Sequence, residues 1–363
     1  MANWKYIIVA ILLTTSMISC NKTIDKNESG VGLVTGQEEL FLILKNDRYG
    51  FINKNGEIVI EPKYKIADDF CDGLSRVKVN GLYGYINKMG ETVIKPQFNY
   101  ARNFSEGIAV IGFGDNPPKD MKTGCIDLSG NYIIKPDNLY MSDFSNGLAY
   151  FYHNESGYID TKGNMVIKLK YPFMCDFKEG FALVKVDTGK YGYIDKNGKM
   201  AVEAKYEMAL DFSEGFAAVA TEDWGLIDKT GKYILEPKYG GIGKYSEGMA
   251  GIGIEGEDLY VSYGFMDKNQ NIIIEPVYMN VGDFSEGMAA VKVNLNEGVK
   301  DKDPVYKWGY IDIKGNMVVQ PQFDEAEEFK NGLARVWLGE QNERDRKLGY
   351  IDKSGKYIWK SSN

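Results

Sequence analysis

Phe181-Ala182-Leu183-Val184-Lys185-Val186, Tyr191-Gly192-Tyr193-Ile194 and Lys199-Met200-Ala201-Val202 are three apolar runs separated by Asp187-Thr188-Gly189-Lys190 and Asp195-Lys196-Asn197-Gly198. Runs of four to six apolar and aromatic residues between turn signals read as β-strands, and no helical period competes with them. The passage predicts a three-stranded antiparallel unit. It also predicts an all-β fold, because the rest of the chain repeats it.

The phrase Tyr191-Gly192-Tyr193-Ile194 occurs nine times, from Tyr49-Gly50-Phe51-Ile52 to Leu348-Gly349-Tyr350-Ile351, with its glycines 33 to 45 residues apart. That period belongs to repeat architectures in which each unit buries its face on a neighbour. The expectation is nine repeats over residues 40–360, stacked as an open curved array. A closed, propeller-like ring is the alternative, which the same pattern also permits.

Two turn devices recur. Each third run is preceded by Asp or Asn, followed three residues later by Gly56, Gly90, Gly130, Gly163, Gly198, Gly231, Gln270, Gly315 or Gly355. Asp or Asn opening a type I turn, with glycine as the left-handed residue of a bulge, explains that spacing. A calcium loop would need several carboxylates converging in one loop, and only one is present per turn. Proline then follows in six units, at Pro62, Pro96, Pro136, Pro237, Pro276 and Pro321, and reads as the end of the third strand. An aromatic series precedes the next turn at Phe70, Phe104, Phe144, Phe177, Phe212, Tyr245, Phe284 and Phe329. It reads as a stacked core, with a sugar-binding ladder as the functional alternative. The invariant glycine of the phrase marks a bulge or a close approach, for which ring packing between units is the simplest cause.

Residues 1–19 carry Lys5, a short apolar run from Tyr6 to Leu13, and then Met17-Ile18-Ser19 before Cys20. The run is shorter than the roughly 20 residues of a spanning helix and reads as a secretory leader. Ser-Cys at its end resembles the lipobox of bacterial lipoproteins, which makes Cys20 the lipidated first residue of the mature chain; cleavage nearby with a free Cys20 thiol is the alternative. Residues 20–39 are polar and glycine-containing and read as a flexible tether. The expected location is the bacterial cell envelope, with the lipid anchor as the only membrane contact.

The 363-residue chain has a formal charge of −8, one unit more negative once Lys5 leaves with the leader. That balance argues against nucleic acid and against anionic lipid as partners. Cys71, Cys125 and Cys175 each replace an ordinary repeat residue and read as packing substitutions. With His153 the one histidine, neither a Ser/His/Asp triad nor a histidine-rich metal site is available. No catalytic residue, metal ligand or cofactor is assigned.

The phrases, with Trp224-Gly225 and Trp308-Gly309 in the most typical form, resemble the WG-repeat family of bacterial proteins. The Asp-Lys-x-Gly turn, Pro-x-Tyr exit and Phe-Ser-Glu-Gly junction belong to the same resemblance, which spans about Leu40 to Trp359. Tyr replaces Trp in most units, and the phrases at Thr123 and Ser156 are degenerate. The resemblance implies an interaction module without catalytic residues. The expected function is a non-enzymatic scaffold that binds an envelope or extracellular protein, the alternative being a glycan-binding module. Four connections between first and second runs are long, at Gly112 to Lys122, Glu255 to Ser262, Asn294 to Lys307 and Leu338 to Lys347. Falling at one step of the repeat, they mark a candidate binding edge, or tips that tolerate insertion without consequence.

Overall fold

Among the described residues, antiparallel strands account for all of the regular structure. The computed structural model describes residues 38–114, 121–137, 140–152, 155–169, 171, 173–256, 261–298, 302–339 and 346–361. These form nine separate sheets. The first contains β1 (Phe41–Lys45), β2 (Arg48–Ile52) and β3 (Ile58–Tyr64). The second contains β4 (Ile66–Ala67), β5 (Leu74–Val79), β6 (Leu82–Asn87) and β7 (Thr92–Phe98), paired in chain order.

Eight of the nine sheets are thus four-stranded, where the sequence predicts three. The additional strand is short, often two residues such as Ile66–Ala67, and comes from the chain that leaves the preceding repeat. Each unit therefore lends its exit to the next sheet, giving the four-stranded meander of a propeller blade.

The chain divides into two compact units, Met1–Lys170 and Tyr171–Asn363. Unit 1 holds the first four sheets and unit 2 the last five. Inside each, the core lies between neighbouring sheets. In unit 1, Tyr85, Ile94 and Phe98 of one sheet pack on Ala101, Phe104 and Ile111 of the next. In unit 2, Tyr193, Val202 and Tyr206 pack on Phe212, Val219 and Ile227. The aromatic series is this core: Tyr85–Phe104, Tyr193–Phe212, Phe265–Phe284 and Tyr310–Phe329 have ring centroids 4.7–4.9 Å apart. Phe104, Phe144, Phe177 and Phe329 are at most 2% exposed, so these rings offer no face to a sugar.

The proline lies inside the last strand and does not end it. β3 runs through Pro62 to Tyr64, with Tyr49 opposite Tyr64 and Phe51 opposite Ile60, so the residues around Pro62 form a bulge. A bulge absorbs the missing N–H without breaking the ladder. It also explains the invariant glycine facing it. A Cβ on Gly50 would lie 2.5 Å from the Ile60 carbonyl oxygen and 2.6 Å from the Pro62 nitrogen, and one on Gly264 only 2.3 Å from the Ile274 oxygen. Backbone of the same sheet, and not a ring of the next unit, excludes the side chain. The facing strand carries exposed Val59, Val93, Val166, Ile273 and Val318 on its outer edge. Proline and flanking charges such as Glu61 and Lys63 make that edge a poor template for further strands.

Cys125 is buried and Cys175 half-buried, and neither is in a disulfide. Cys71 is buried and disulfide-bonded, so packing alone does not account for it.

Candidate functional site

Each sheet has two dissimilar ends. At one end lie the Asp-Lys-x-Gly turn and the Ser-Glu-Gly turn, brought side by side because Phe181 pairs with Asp195. Gly198 has φ +78° and its N–H donates to the Asp195 carbonyl at 2.9 Å. Gly56, Gly90, Gly130, Gly163, Gly231, Gly315 and Gly355 also lie at φ +78° to +86°, and Gln270 accepts the same strain at +69°. The Asp195 carboxylate accepts from the amides of Asn197 and Lys199, both at 2.9 Å. The amide of Lys199, then that of Asn197, draws its pKa below the usual aspartate range. At Asp160, Asp267 and Asp312 the leading cause is an asparagine side chain four residues on. Carboxylates used up on their own turn are not organised for catalysis or for a metal.

The Ser-Glu-Gly turn does more than reverse the chain. The Glu106 carboxylate accepts from the amides of Asn146 and Gly147 in the next sheet, at 2.8 and 2.7 Å. Glu179 takes Gly215 N–H, Glu214 takes Gly248, Glu247 takes Glu286 and Gly287, and Glu286 takes Gly332, at 2.6–3.2 Å. Three of these acids also hold the lysine of the neighbouring Asp-Lys turn: Lys229–Glu179, Lys268–Glu214 and Lys353–Glu286, at 2.9–3.2 Å. Beside four of these five acids a serine donates to the next aromatic's carbonyl, as in Ser105 Oγ to Phe144 O at 2.7 Å and Ser285 Oγ to Phe329 O at 2.7 Å. In the sequence this triplet reads only as a junction. Its acid at nearly every turn was the available signal.

At the other end are the connections between the second and third strands of each four-stranded meander and between β1 and β2 of the first sheet. Two are minimal: Asn46-Asp47 (φ +52° and +55°) and Asn80-Gly81 (+50° and +85°) form two-residue turns with both residues left-handed. The four long connections all leave from this end. One joins Ile108–Phe113 to Lys122–Asp127 in unit 1. The other three belong to consecutive sheets of unit 2. They join Met249–Glu255 to Val261–Asp267, Met288–Asn294 to Tyr306–Asp312, and Leu333–Leu338 to Lys347–Asp352. Residues 115–120, 257–260, 299–301 and 340–345 of these tips lie outside the described residues.

The stems of the last two tips are built. Asn294 Oδ1 accepts from the amides of Asn296 and Val305 at 3.1 and 3.0 Å, and Leu295 N–H donates to Val305 O at 2.8 Å. Lys307 meets Asp324 at 2.5 Å, and the same carboxylate accepts from Gly339 N–H at 2.8 Å, linking adjacent stems. Burial opposes ionisation of Asp324, but Lys307 and the Gly339 amide hold its carboxyl below the ordinary range. Arg346 pairs with Glu325 and lies 4.9 Å from the centre of the Trp337 ring. Beside them Leu295, Val305 and Tyr306 are 40–49% exposed.

The predicted motif residues are divided among these places. Trp224 is 3% exposed and belongs to the core, whereas Trp308 is half-buried at a tip stem, 6.0 Å from the Lys292 ammonium. A Cβ on Gly225 or Gly309 would fall 2.7 or 2.5 Å from a facing carbonyl oxygen. Cys20, His153, the leader and residues 20–37 lie outside the described residues.

A family described as "WG containing repeat" matches residues 49–83, 83–116, 124–155, 157–191, 191–223, 224–257, 263–294 and 308–339. The ninth phrase, beyond these matches, forms Lys347–Asp352 in the ninth sheet. No curated protein matches the chain. Among solved structures, one titled a eukaryotic initiation factor is 12% identical, with a TM-score of 0.62 over 90% of this chain and 96% of that one. This similarity shows the fold alone. It is the β-propeller, the alternative raised above, in place of the open array. BamB from Moraxella catarrhalis is 10% identical with a TM-score of 0.39, covering 79% of this chain and 93% of that one.

Proposed function

This chain belongs to the WG containing repeat family, and on that premise we propose that it is a non-enzymatic lipoprotein of the bacterial envelope whose repeats carry a protein-binding edge. The observation that supports the edge is the run of three long tips on consecutive sheets of unit 2. Tips that leave one end of a hydrogen-bonded scaffold can pool their surface, as single loops cannot. Exposed Tyr306, Val305 and Leu295 beside charged Lys302 and Asp303 give that edge the mixed apolar and polar character of a binding patch.

The test is to shorten Glu255 to Ser262, Asn294 to Lys307 and Leu338 to Lys347 to the two-residue form of Glu222-Asp223. Capture of envelope proteins by the full chain is expected to disappear while circular dichroism and the melting midpoint barely move. Undiminished capture overturns the assignment.

The anchor is tested separately. Cys20→Ser is expected to move the protein from the membrane to the soluble fraction. Acylation occupies the Cys20 sulfur, so peptide mapping that finds this sulfur in a disulfide overturns the lipoprotein reading, as does unchanged membrane association of the variant.

A further inference from the structure

Unit 1 carries a cluster that the tip edge of unit 2 does not use. Tyr140 and Tyr152 face each other across adjacent strands, in direct register, and are 46% and 65% exposed. Directly opposed residues share one face of a sheet. The Tyr150 ring lies 6.3 Å from that of Tyr140. From the preceding sheet, Arg102 reaches across: its Nε donates to the Tyr100 hydroxyl at 2.5 Å and a terminal nitrogen to the Tyr140 hydroxyl at 3.2 Å. The guanidinium carbon is 6.0 and 5.9 Å from those two ring centres, and Asp143 meets the guanidinium at 3.4 Å.

The chemistry of this arrangement is specific. Two phenol rings are left open to solvent while the group that orients one of them is fixed. The guanidinium is engaged by Asp143 and by two phenol oxygens, so its charge is matched within the cluster. Arg102 and Asp143 have side chains 23% and 16% exposed, which keeps the ion pair under the rings. Flat rings offering an apolar face and a hydroxyl suit ligands that are themselves apolar on one face and hydroxylated at the edge. That description fits a sugar ring. A phosphate or carboxylate ligand would need a cation still available to it, and a hydrophobic peptide would find hydroxyls where it needs a pocket.

The core aromatics of the repeat are buried and belong to every sheet. Tyr150 and the pairing of Tyr140 with Tyr152 are different: single aromatics recur at the paired positions, as Tyr100 and Phe173 for Tyr140 and Trp337 for Tyr152, but their partners are Gly112, Lys185 and Glu325. Tyr150 corresponds to Ala218, Gly251 and Ala290, and Tyr152 to Ala220, Gly253 and Lys292, by their register against the motif glycine. Among the described sheets, this one alone sets two aromatic rings opposite each other at that place.

We propose that Tyr140 and Tyr152, with Arg102 holding Tyr140 in place, form a binding platform for a neutral polysaccharide. This reading goes beyond the protein-binding edge and does not depend on it.

Affinity electrophoresis of the full mature chain tests the platform, using gels cast with soluble β-1,3-glucan, α-1,6-glucan or galactomannan, and polygalacturonate as the anionic control. The wild-type protein is expected to be retarded by at least one neutral polymer. Tyr140→Ala/Tyr152→Ala is expected to weaken that retardation at least tenfold, and Tyr152→Phe, which keeps the ring, to preserve most of it. Because Tyr152 is the more exposed ring, Tyr152→Ala alone carries the comparison if the double variant melts early. The tip-trimmed protein should still be retarded, which separates this site from the protein-binding edge. No retardation by any neutral polymer, equal retardation of the double variant, or preference for polygalacturonate overturns the proposal. So does protein cross-linking through this patch without glycan binding.

Discussion

The two ends of every sheet are built from the same strands but obey different rules. At the turn end, length and composition are nearly fixed. Asp or Asn opens the hairpin, glycine takes the left-handed position, and an acid reaches the amides of the following sheet. At the tip end, connections range from Asn80-Gly81 to the segment between Asn294 and Tyr306, and the side-chain links between neighbouring stems are sporadic, as at Lys190–Glu207 and Lys307–Asp324. A repeat protein needs one set of contacts that every unit makes identically, because each unit is stabilised by its neighbours. Here the turn end makes them, which leaves the tip end open to vary.

Substitutions can break this contrast, and the largest effect is expected between the two ends. Gly264→Ala places a Cβ 2.3 Å from the Ile274 carbonyl oxygen, so the Pro276 bulge must move. A loss of about 3 kcal/mol or more in unfolding free energy is expected from denaturant titration. A wild-type midpoint would show that the bulge yields easily.

At the turn end, Glu214→Ala removes the acceptor for Gly248 N–H and the partner of Lys268. Its cost is expected to be about 1–2 kcal/mol, since the amide is left without its charged acceptor. Glu214→Gln should recover part of it, and equal losses for the two variants would mean that the charge alone matters.

Asp211 at the same end is expected to respond in the opposite direction. Burial, partly offset by Lys178 and reinforced by Asp176, raises its pKa to about 6. Its unfolded value is near 3.9. The folded protein therefore binds the proton more tightly, and this contribution is complete below about pH 4 and lost as pH rises through about 6. Asp211→Asn is expected to stabilise the protein by about 1–2 kcal/mol at pH 7 and by little at pH 4. Equal effects at both pH values would rule out the buried carboxyl as the cause. Asp195, with its pKa lowered by turn amides, has the reverse sign: its stabilisation is present above the unfolded value and is lost as pH falls through the lower folded value.

Gly198→Ala is expected to cost about 1 kcal/mol through left-handed strain alone. Gln270 marks the place where the chain already bears that strain. Gln270→Gly is therefore expected to stabilise by a similar amount, and differential scanning calorimetry on the pair checks both signs.

How much of this was legible follows from the reach of each signal. The Asp-to-Gly turns could be read because their hydrogen bonds close within four residues, as in Asn53 to Glu57. The aromatic core could be read because a ring at one position in every repeat has few other uses. The fourth strand could not. Ile66–Ala67 is too short to show an alternating pattern, and its pairing depends on the unit that follows. Pro62 was misread because its cost to a ladder is real, but the bulge and the glycine opposite absorb it. The Glu106, Glu214 and Glu247 contacts span 34 to 41 residues, and no local rule reports them. The platform of Tyr140 and Tyr152 was hidden for the opposite reason, as a local exception inside a pattern read for its regularities.

The loan of an exit strand to the next sheet has a consequence during synthesis. The four strands of a blade, such as Ile66–Ala67 through Thr92–Phe98, are contiguous in the chain. Each blade can close as soon as its last strand leaves the ribosome, without waiting for any later residue, and the lending segment is always already out. Pairing over such short separations favours rapid folding, and domains that fold from the N-terminus keep little unpaired edge exposed. The nascent chain would then emerge as finished blades followed by a single unfinished one, and ribosome-bound fragments ending just after Phe98, Tyr239 or Phe323 would carry no orphaned strand.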